Sequence, residues 1–326
     1  MNNFKKIGMT ALAASLVSTS AFAGELTASG SASVTMEGWS GSQVNTSRAI
    51  SMGDSVTLSG STELDNGMTV SMAFELDSDN PGTSSYDDKS VSVSSDTLGT
   101  FKFSGHGGST AASAIDATAA GDLWDNFDST TTQYIGAAGT AVSAAPGGAN
   151  SLFYTSPSME GVSVTASYRP DGSNGTLGAI SSTSFAVSYT GVEGLSLHFG
   201  TADVETNAAG STGDQTVMKA SYAYGPVTVG YSNNDYDVGT AADDQETTSY
   251  NISYTVSESI SVGYGVETID DGDSTKVDAE YSGINASYTA GGMTITAKMI
   301  DAENVAGGTG ATQDGEYWSL GLAFAF

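Results

Sequence analysis

From Gly24 to Phe326 the chain alternates apolar with small polar residues at a period of two, and no stretch keeps a helical period for more than about ten residues. A chain so patterned must be all-β. Val162, Val164, Ala166 and Tyr168 stand against Ser163, Thr165, Ser167 and Arg169, and Phe185, Val187 and Tyr189 stand against Ser184, Ala186 and Ser188. One face of each strand is apolar and the other is small and polar. A soluble sandwich or barrel turns its large side chains inward and its charges outward, so a face of Ser, Thr, Gly and Ala suits a water-filled lumen better than a solvated surface.

The connections alternate between tight and long. Turn residues cluster at Asp65-Asn66-Gly67, Thr97-Leu98-Gly99, Pro157 to Gly161, Gly191 to Gly194, Gly225-Pro226, near Glu258 and at Gly291-Gly292. Long Asp/Gly/Ser/Thr-rich loops fall around residues 40–46, 78–86, 107–149, 171–181, 205–214, 237–246, 270–275 and 304–315. Eight long loops and seven short turns imply 16 strands, with short turns on one side of a membrane and long loops on the other. The expectation is a transmembrane antiparallel β-barrel, too wide for its side chains to plug. The segment YWSLGLAFAF places Trp318, Leu320, Leu322, Phe324 and Phe326 on one face. A soluble edge strand of that character would aggregate, whereas closure against lipid removes the edge.

The N-terminus reads MNNFKK, then an apolar run from Ile7 to Val17, then Ala21-Phe22-Ala23: a leader expected over residues 1–23, with the barrel over residues 24–326. The apolar run is too short for a spanning helix. Cysteine is absent, which excludes a disulfide framework and thiolate chemistry. The formal charge of −28 counts Lys5 and Lys6 of the leader, so the remainder is nearer −30 and offers nucleic acid no basic surface. The 15 Tyr and 11 Phe within steady alternation argue for ordered strands despite that acidity.

The segments VTLSGSTELDNGMTVSMAFELD (residues 56–77), LGTFKFSG (98–105) and NSLFYTSPSMEGVSVTASYRPDG (150–172), with terminal Phe326, resemble the general Gram-negative porins, most closely the α-proteobacterial branch. The resemblance spans the mature chain. It implies an outer-membrane homotrimer of 16-stranded barrels, passing small hydrophilic solutes and ions, whose third external loop folds into the lumen and sets acidic residues against basic residues on the wall. The strand around Ala28, Gly30 and Ala32 is the candidate trimer seam.

Loop 107–149 is much the longest and needs a functional reason. Ala114 to Phe127 is expected to form a short helix that brings Asp116, Asp122, Asp125 and Asp128 to the lumen, anchored by Leu123, Trp124 and Phe127. Lys102, His106, Arg169, His198, Lys219, Lys276 and Lys298 share parity with Ser and Thr and are expected on the inner wall. Arg48 shares parity with Val56 and Leu58 unless a bulge at Gly53-Asp54 resets the register. Many porins carry Arg where this chain has Phe153, and bases are few, so the pore is expected to prefer cations mildly. No cofactor is expected, though Asp77, Asp79, Asp270 and Asp273, with neighbours Asp87, Asp88, Asp243, Asp244 and Glu246, could hold calcium at the loop mouths. None has EF-hand spacing, and a solvated loop is the competing reading.

Three other functions compete. A hydrolytic barrel needs a nucleophile, base and orienting acid, yet neither His106 nor His198 stands in a G-x-S-x-G or HExxH context. A structural or adhesive surface protein would show repeats of constant interval, and none is found. A substrate-specific channel stays open, although an aromatic sugar slide is disfavoured because the aromatics mostly share the apolar parity.

Overall fold

A computed structural model describes residues 26–41, 48–77, 87–115, 118–127, 145, 147, 150–170, 172–173, 176–177, 180–206, 213–238, 244–307 and 313–326. The leader segment 1–23, much of loop 107–149 and the positions Asp79, Asp116 and Asp128 lie outside them.

The alternating segments become β1 (Thr27–Gly41), β2 (Arg48–Glu63), β3 (Thr69–Asp77), β4 (Asp88–Ser95), β5 (Gly99–His106), β6 (Ser151–Thr155) and β7 (Val162–Arg169). A two-residue hairpin follows, β8 (Gly172–Ser173) and β9 (Thr176–Leu177). Then come β10 (Ile180–Tyr189), β11 (Leu195–Thr206), β12 (Gly213–Tyr224), β13 (Val227–Asp237) and β14 (Gln245–Ser257). The chain finishes with β15 (Ile260–Asp270), β16 (Ala279–Ala290), β17 (Met293–Glu303) and β18 (Gly315–Ala325). All but the β8–β9 hairpin pair antiparallel with their neighbours into one closed barrel, sealed where β1 pairs with β18. Sixteen strands therefore close, and no edge is left to aggregate.

The connections at one end are short, as Pro226 and Gly225 between β12 and β13 illustrate, and those at the other are long. Gly99 shows why the tight end needs glycine. Its φ is +81°, and a Cβ there would stand 2.2 Å from the Thr155 carbonyl oxygen across the sheet.

Directly paired residues share a face, so the register sorts every strand into lumen and exterior. Val187 pairs with Val164 and Phe199, and Phe199 with Met218, which together build an exposed apolar outer wall. Ser184, Ala202, Val217, Ser232 and Ser249 face inward and are buried, because the third long loop lies against them. Register continuity from Thr27↔Ser59 to Gly38↔Arg48 leaves no bulge at Gly53-Asp54, so Arg48 faces outward at the rim. Asp54 shares that outward face, between Met52 and Val56.

Candidate functional site

The third loop enters the barrel and spends its backbone amides on the inner wall. Ala111 N–H donates to Ser167 Oγ at 2.9 Å and Ala112 N–H to Ser184 Oγ at 2.8 Å. Ala119 N–H donates to Ser232 Oγ at 2.8 Å, Ala120 N–H to Ser249 Oγ at 2.9 Å, and Ala145 N–H to Gln215 Oε1 at 2.9 Å. Glu267 holds two points at once: its Oε2 accepts the Trp124 amide at 3.0 Å, and its Oε1 accepts the Thr118 hydroxyl. Lumen-facing side chains of β7, β10, β12, β13, β14 and β15 thus replace the bonds that a helix would have made within the loop.

That replacement overturns the expected helix over Ala114–Phe127. Residues 111–115 are turns, and only Leu123–Phe127 winds into a 3₁₀ helix. Gly121 at φ +86° and Asp122 at φ +54° interrupt any continuous helix between them. Asp122 instead closes a local turn, its carboxylate accepting the Thr118 amide at 2.9 Å while its own amide donates to Thr118 Oγ1 at 2.8 Å. Asp125 is exposed on the 3₁₀ turn.

Leu123 and Phe127 drop into a cluster with Trp39, Ile269, Tyr281, Ile300 and Tyr317, all on the lumen face. The Phe127 ring lies 5.8 Å from Tyr281, and Trp39 donates from its indole to the Asn126 carbonyl at 2.9 Å. These inward aromatics depart from the lipid-facing parity expected of aromatics in general. Their signal was present in the sequence, since Tyr281, Ile300 and Tyr317 share parity with Asn285, Lys298 and Ser319. Ala111, Ala112, Ile115 and Ala145 form a second cluster with Ala186, Ala202, Val204 and Val217, against which Phe153 packs.

Lys102, Arg169, His198, Lys219 and Lys298 fall on the lumen register of their strands. Two of them hold the loop: Arg169 Nη1 donates to the Gly147 carbonyl at 2.7 Å, and Lys219 Nζ reaches the Thr118 carbonyl at 3.5 Å. His198 has the Ser188 hydroxyl at Nδ1, 2.8 Å away, and the Ser196 hydroxyl at Nε2, 2.7 Å away. Lys219 is its cross-strand partner, and among the described residues the groups hydrogen-bonded to this imidazole are hydroxyls, where a catalytic base is oriented by a carboxylate. His106 sits at the rim with Nδ1 against the Asp87 carbonyl oxygen, beside an irregular register between Lys89 and Ser90. Lys276 leaves the expected wall: it stands in the loop between β15 and β16, ion-paired with Asp271.

Asp77 ends β3 on the lumen register, whereas Asp270 ends β15 on the outward register. Asp270 Oδ1 accepts the Gly272 amide at 2.9 Å, and Asp273 Oδ1 accepts the amide and hydroxyl of Thr275 at 2.9 and 2.8 Å. Those two bonds hold the exposed Asp273 carboxyl below its ordinary range. Among the described residues, no three carboxylate or histidine side chains gather around a point suited to a metal ion.

The described parts of the loop cover the inner wall from β7 round to β18 and β1, and across the lumen from most of that contact lie the inward faces of β2, β3 and β4. Those faces carry Ser55, Thr57, Ser59, Ser61, Ser71, Ser90 and Ser92, with Glu75, Asp77 and Asp88 nearer the long-loop end.

Solved structures share this architecture. The loop L8 deletion mutant of OmpT, an outer membrane protein of Vibrio cholerae, superposes with a TM-score of 0.70 at 15% identity over 93% of this chain and 100% of that one. An anion-selective porin from Comamonas acidovorans gives 0.67 at 17% identity over 93% and 99%. The in-vitro folded, trimeric form of Vibrio cholerae OmpT gives 0.66 at 14% identity over 93% and 100%. No curated protein sequence is matched. A family model described as Gram-negative porin matches residues 8–294, and with the closed barrel and its inward loop this makes the chain a member of the Gram-negative porin family, a channel of the outer membrane.

Proposed function

We propose that the chain works as an open, non-enzymatic diffusion pore for small hydrophilic solutes and ions, assembled as a homotrimer and mildly cation-selective. One observation carries the reading: the described parts of the loop are held against the inner wall by side chains from six strands, so those parts narrow the barrel from the wall inward. The inward faces of β2–β4 carry hydroxyls and carboxylates. Carboxylates along a water-filled path favour cations over anions. The pore roles of Asp122, Asp125 and the wall bases Lys102, His106, Arg169, His198, Lys219 and Lys298 belong to this proposal. So does export through a leader cleaved after Ala23.

Trimer assembly is supported by the trimeric form recorded for a similar fold and by the outer face of β1 and its neighbours. Ala28, Gly30 and Ala32 make a low relief there, beside outward-facing Asp54.

Single-channel recording of the refolded protein in a planar bilayer under a salt gradient tests the function. Discrete steps in groups of three, with a reversal potential of cation-preferring sign, are the expected result. Correctly inserted protein that conducts nothing would sink the open-pore reading, and an anion-preferring sign would sink the selectivity.

A further inference from the structure

On the inner wall two opposite charges share a rung without meeting. Across β16, β17, β18 and β1 that inward rung runs Asn285, Lys298, Ser319, Glu37, each paired directly with the next. Neighbouring strands lie about 4.8 Å apart, so two steps set the backbones of Lys298 and Glu37 about 10 Å from each other. Side chains of this length can close such a gap, yet the one ion pair among the described residues is Lys276 with Asp271.

Tyr317 donates its hydroxyl to Glu37 Oε2 at 3.0 Å, which ties that oxygen to the cluster around Phe127. Glu37 Oε1 and the Lys298 ammonium have no partner among the described residues, and neither is sealed from the lumen. Asn285 leaves the space beside Lys298 open, because its amide lies over Gly263 on the other side, where a Cβ would stand 2.9 Å from Oδ1. Ser319 between the two charges is small, and Gly321, the next inward residue of β18, carries no side chain. The result is a shelf one inward residue below Ile300, Tyr317 and Trp39, on the short-turn side of the Phe127 cluster. A cation stands at one end and a carboxylate at the other. Asp125 of the loop lies within electrostatic reach of Tyr317 and adds negative potential at the Glu37 end.

We propose that this shelf is a transient binding subsite for zwitterionic solutes of the α-amino acid class, with the solute carboxylate on the Lys298 ammonium and its ammonium on Glu37 Oε1. A molecule that carries both charges on one carbon spans the gap the two side chains leave, and each end makes a charge-assisted hydrogen bond. A solute with a single charge gains one contact and leaves the other wall charge to water. Both charges belong to the wall and neither to the loop, so the subsite is separate from a field set between loop and wall. The inference rests on the open-pore reading, since a solute reaches the shelf through the lumen.

Uptake of labelled glycine and labelled glycolamide into proteoliposomes, corrected for protein-free vesicles, tests it. The two solutes contain the same atoms, and only glycine is charged at both ends. At low solute concentration the parent should take up glycine several-fold faster than glycolamide. Glu37→Gln, which keeps an acceptor for the Tyr317 hydroxyl, and Lys298→Met should each remove that excess. The same two changes should move the reversal potential in a potassium chloride gradient in opposite directions, Glu37→Gln weakening cation preference and Lys298→Met strengthening it. Loss of an ordinary wall charge shifts selectivity and leaves the ratio of glycine to glycolamide alone. The double change E37Q/K298M should lose no more of the ratio than either single change. Heat-dependent gel mobility registers that each variant is a folded barrel, and Lys298→Gln serves if Lys298→Met does not fold. Equal uptake of the two solutes by a conducting parent, a single variant that keeps the parent's ratio, or losses that add in the double variant would overturn the subsite alone. A parent that passes neither solute nor potassium chloride sinks the open-pore reading and the subsite with it.

Discussion

At the scale of single residues, Glu267 bears most on the opening. Its side chain is fully buried between β15 and the loop, and each carboxylate oxygen accepts a donor from a different point of the loop, Thr118 and Trp124. Substitution by alanine strips an acceptor from a half-buried amide and from a buried hydroxyl, the latter worth about 1–3 kcal/mol when left unmet. The strand ladder on either side is backbone and stays in place, so the cost falls on the loop and not on the barrel. Glu267→Ala should therefore raise single-channel conductance and current noise and admit larger sugars in proteoliposome swelling, while the folded barrel keeps its resistance to heat. Conductance and size cut-off equal to the parent's would show that the loop does not depend on this residue. Glu267→Gln, which preserves an acceptor for the Trp124 amide, should fall between the two.

At the scale of elements, the loop can lie close to the wall because the wall has notches. Gly265 faces inward beneath Ala120, and a Cβ there would come within 2.5 Å of the Ala120 Cβ. Gly265→Val should push that stretch of loop toward the lumen and lower conductance, the opposite sign to Glu267→Ala, at an overpacking cost of about 1–3 kcal/mol. Conductance unchanged or raised would contradict the close fit. The strands themselves were legible because period two and the alternation of tight with long connections are local properties: Val162 to Arg169 needs no partner to announce a strand. The loop was legible as special by its length but not by its conformation. Ala114 to Phe127 has helical composition, and nothing local reveals that Ser232, Ser249 and Glu267 will take its amides from strands more than a hundred residues away. The lumen aromatics were marked by parity, yet the reason for Tyr281 and Tyr317 on a polar face is not local, since it is Phe127 of the loop that covers them. Lys276 was misjudged because parity has meaning only on a strand, and it lies in a loop with Asp271.

At the scale of the whole molecule, charge and assembly are set by which face each residue occupies. Asp54 tests the assembly. If the β2 face meets a neighbouring subunit, Asp54→Leu should lower the temperature at which the oligomer dissociates on a native gel; if it meets lipid, the same change should stabilise the isolated barrel by less than the about 2–4 kcal/mol charged to Lys or Arg at mid-bilayer. The net charge of −28 overstates what a permeating ion meets, because Asp203, Asp214, Asp235, Glu246, Glu280, Asp301, Glu303 and Glu316 all point away from the lumen. Inside, Glu37, Glu63, Glu75, Asp77 and Asp88 on β1–β4, Asp122 and Asp125 on the loop and buried Glu267 stand with Lys102, Arg169, Lys219 and Lys298, with Arg169 and Lys219 drawn toward the loop. The inner excess of negative charge is spread along a wet wall, so mobile ions screen it over ~10 Å at 0.1 M salt and ~3 Å at 1 M. Cation preference, read as a reversal potential across a fixed salt ratio, should consequently be greatest in dilute salt and fade toward molar concentrations. Neutralising Glu75 and Asp77 together should weaken it further, whereas neutralising outward Glu280 and Glu303 should leave it unchanged. A preference that persists undiminished at molar salt, or that responds to the outward pair as strongly as to the inward one, would mean that selectivity arises at a narrow, desolvated point and not from the charge of the wall.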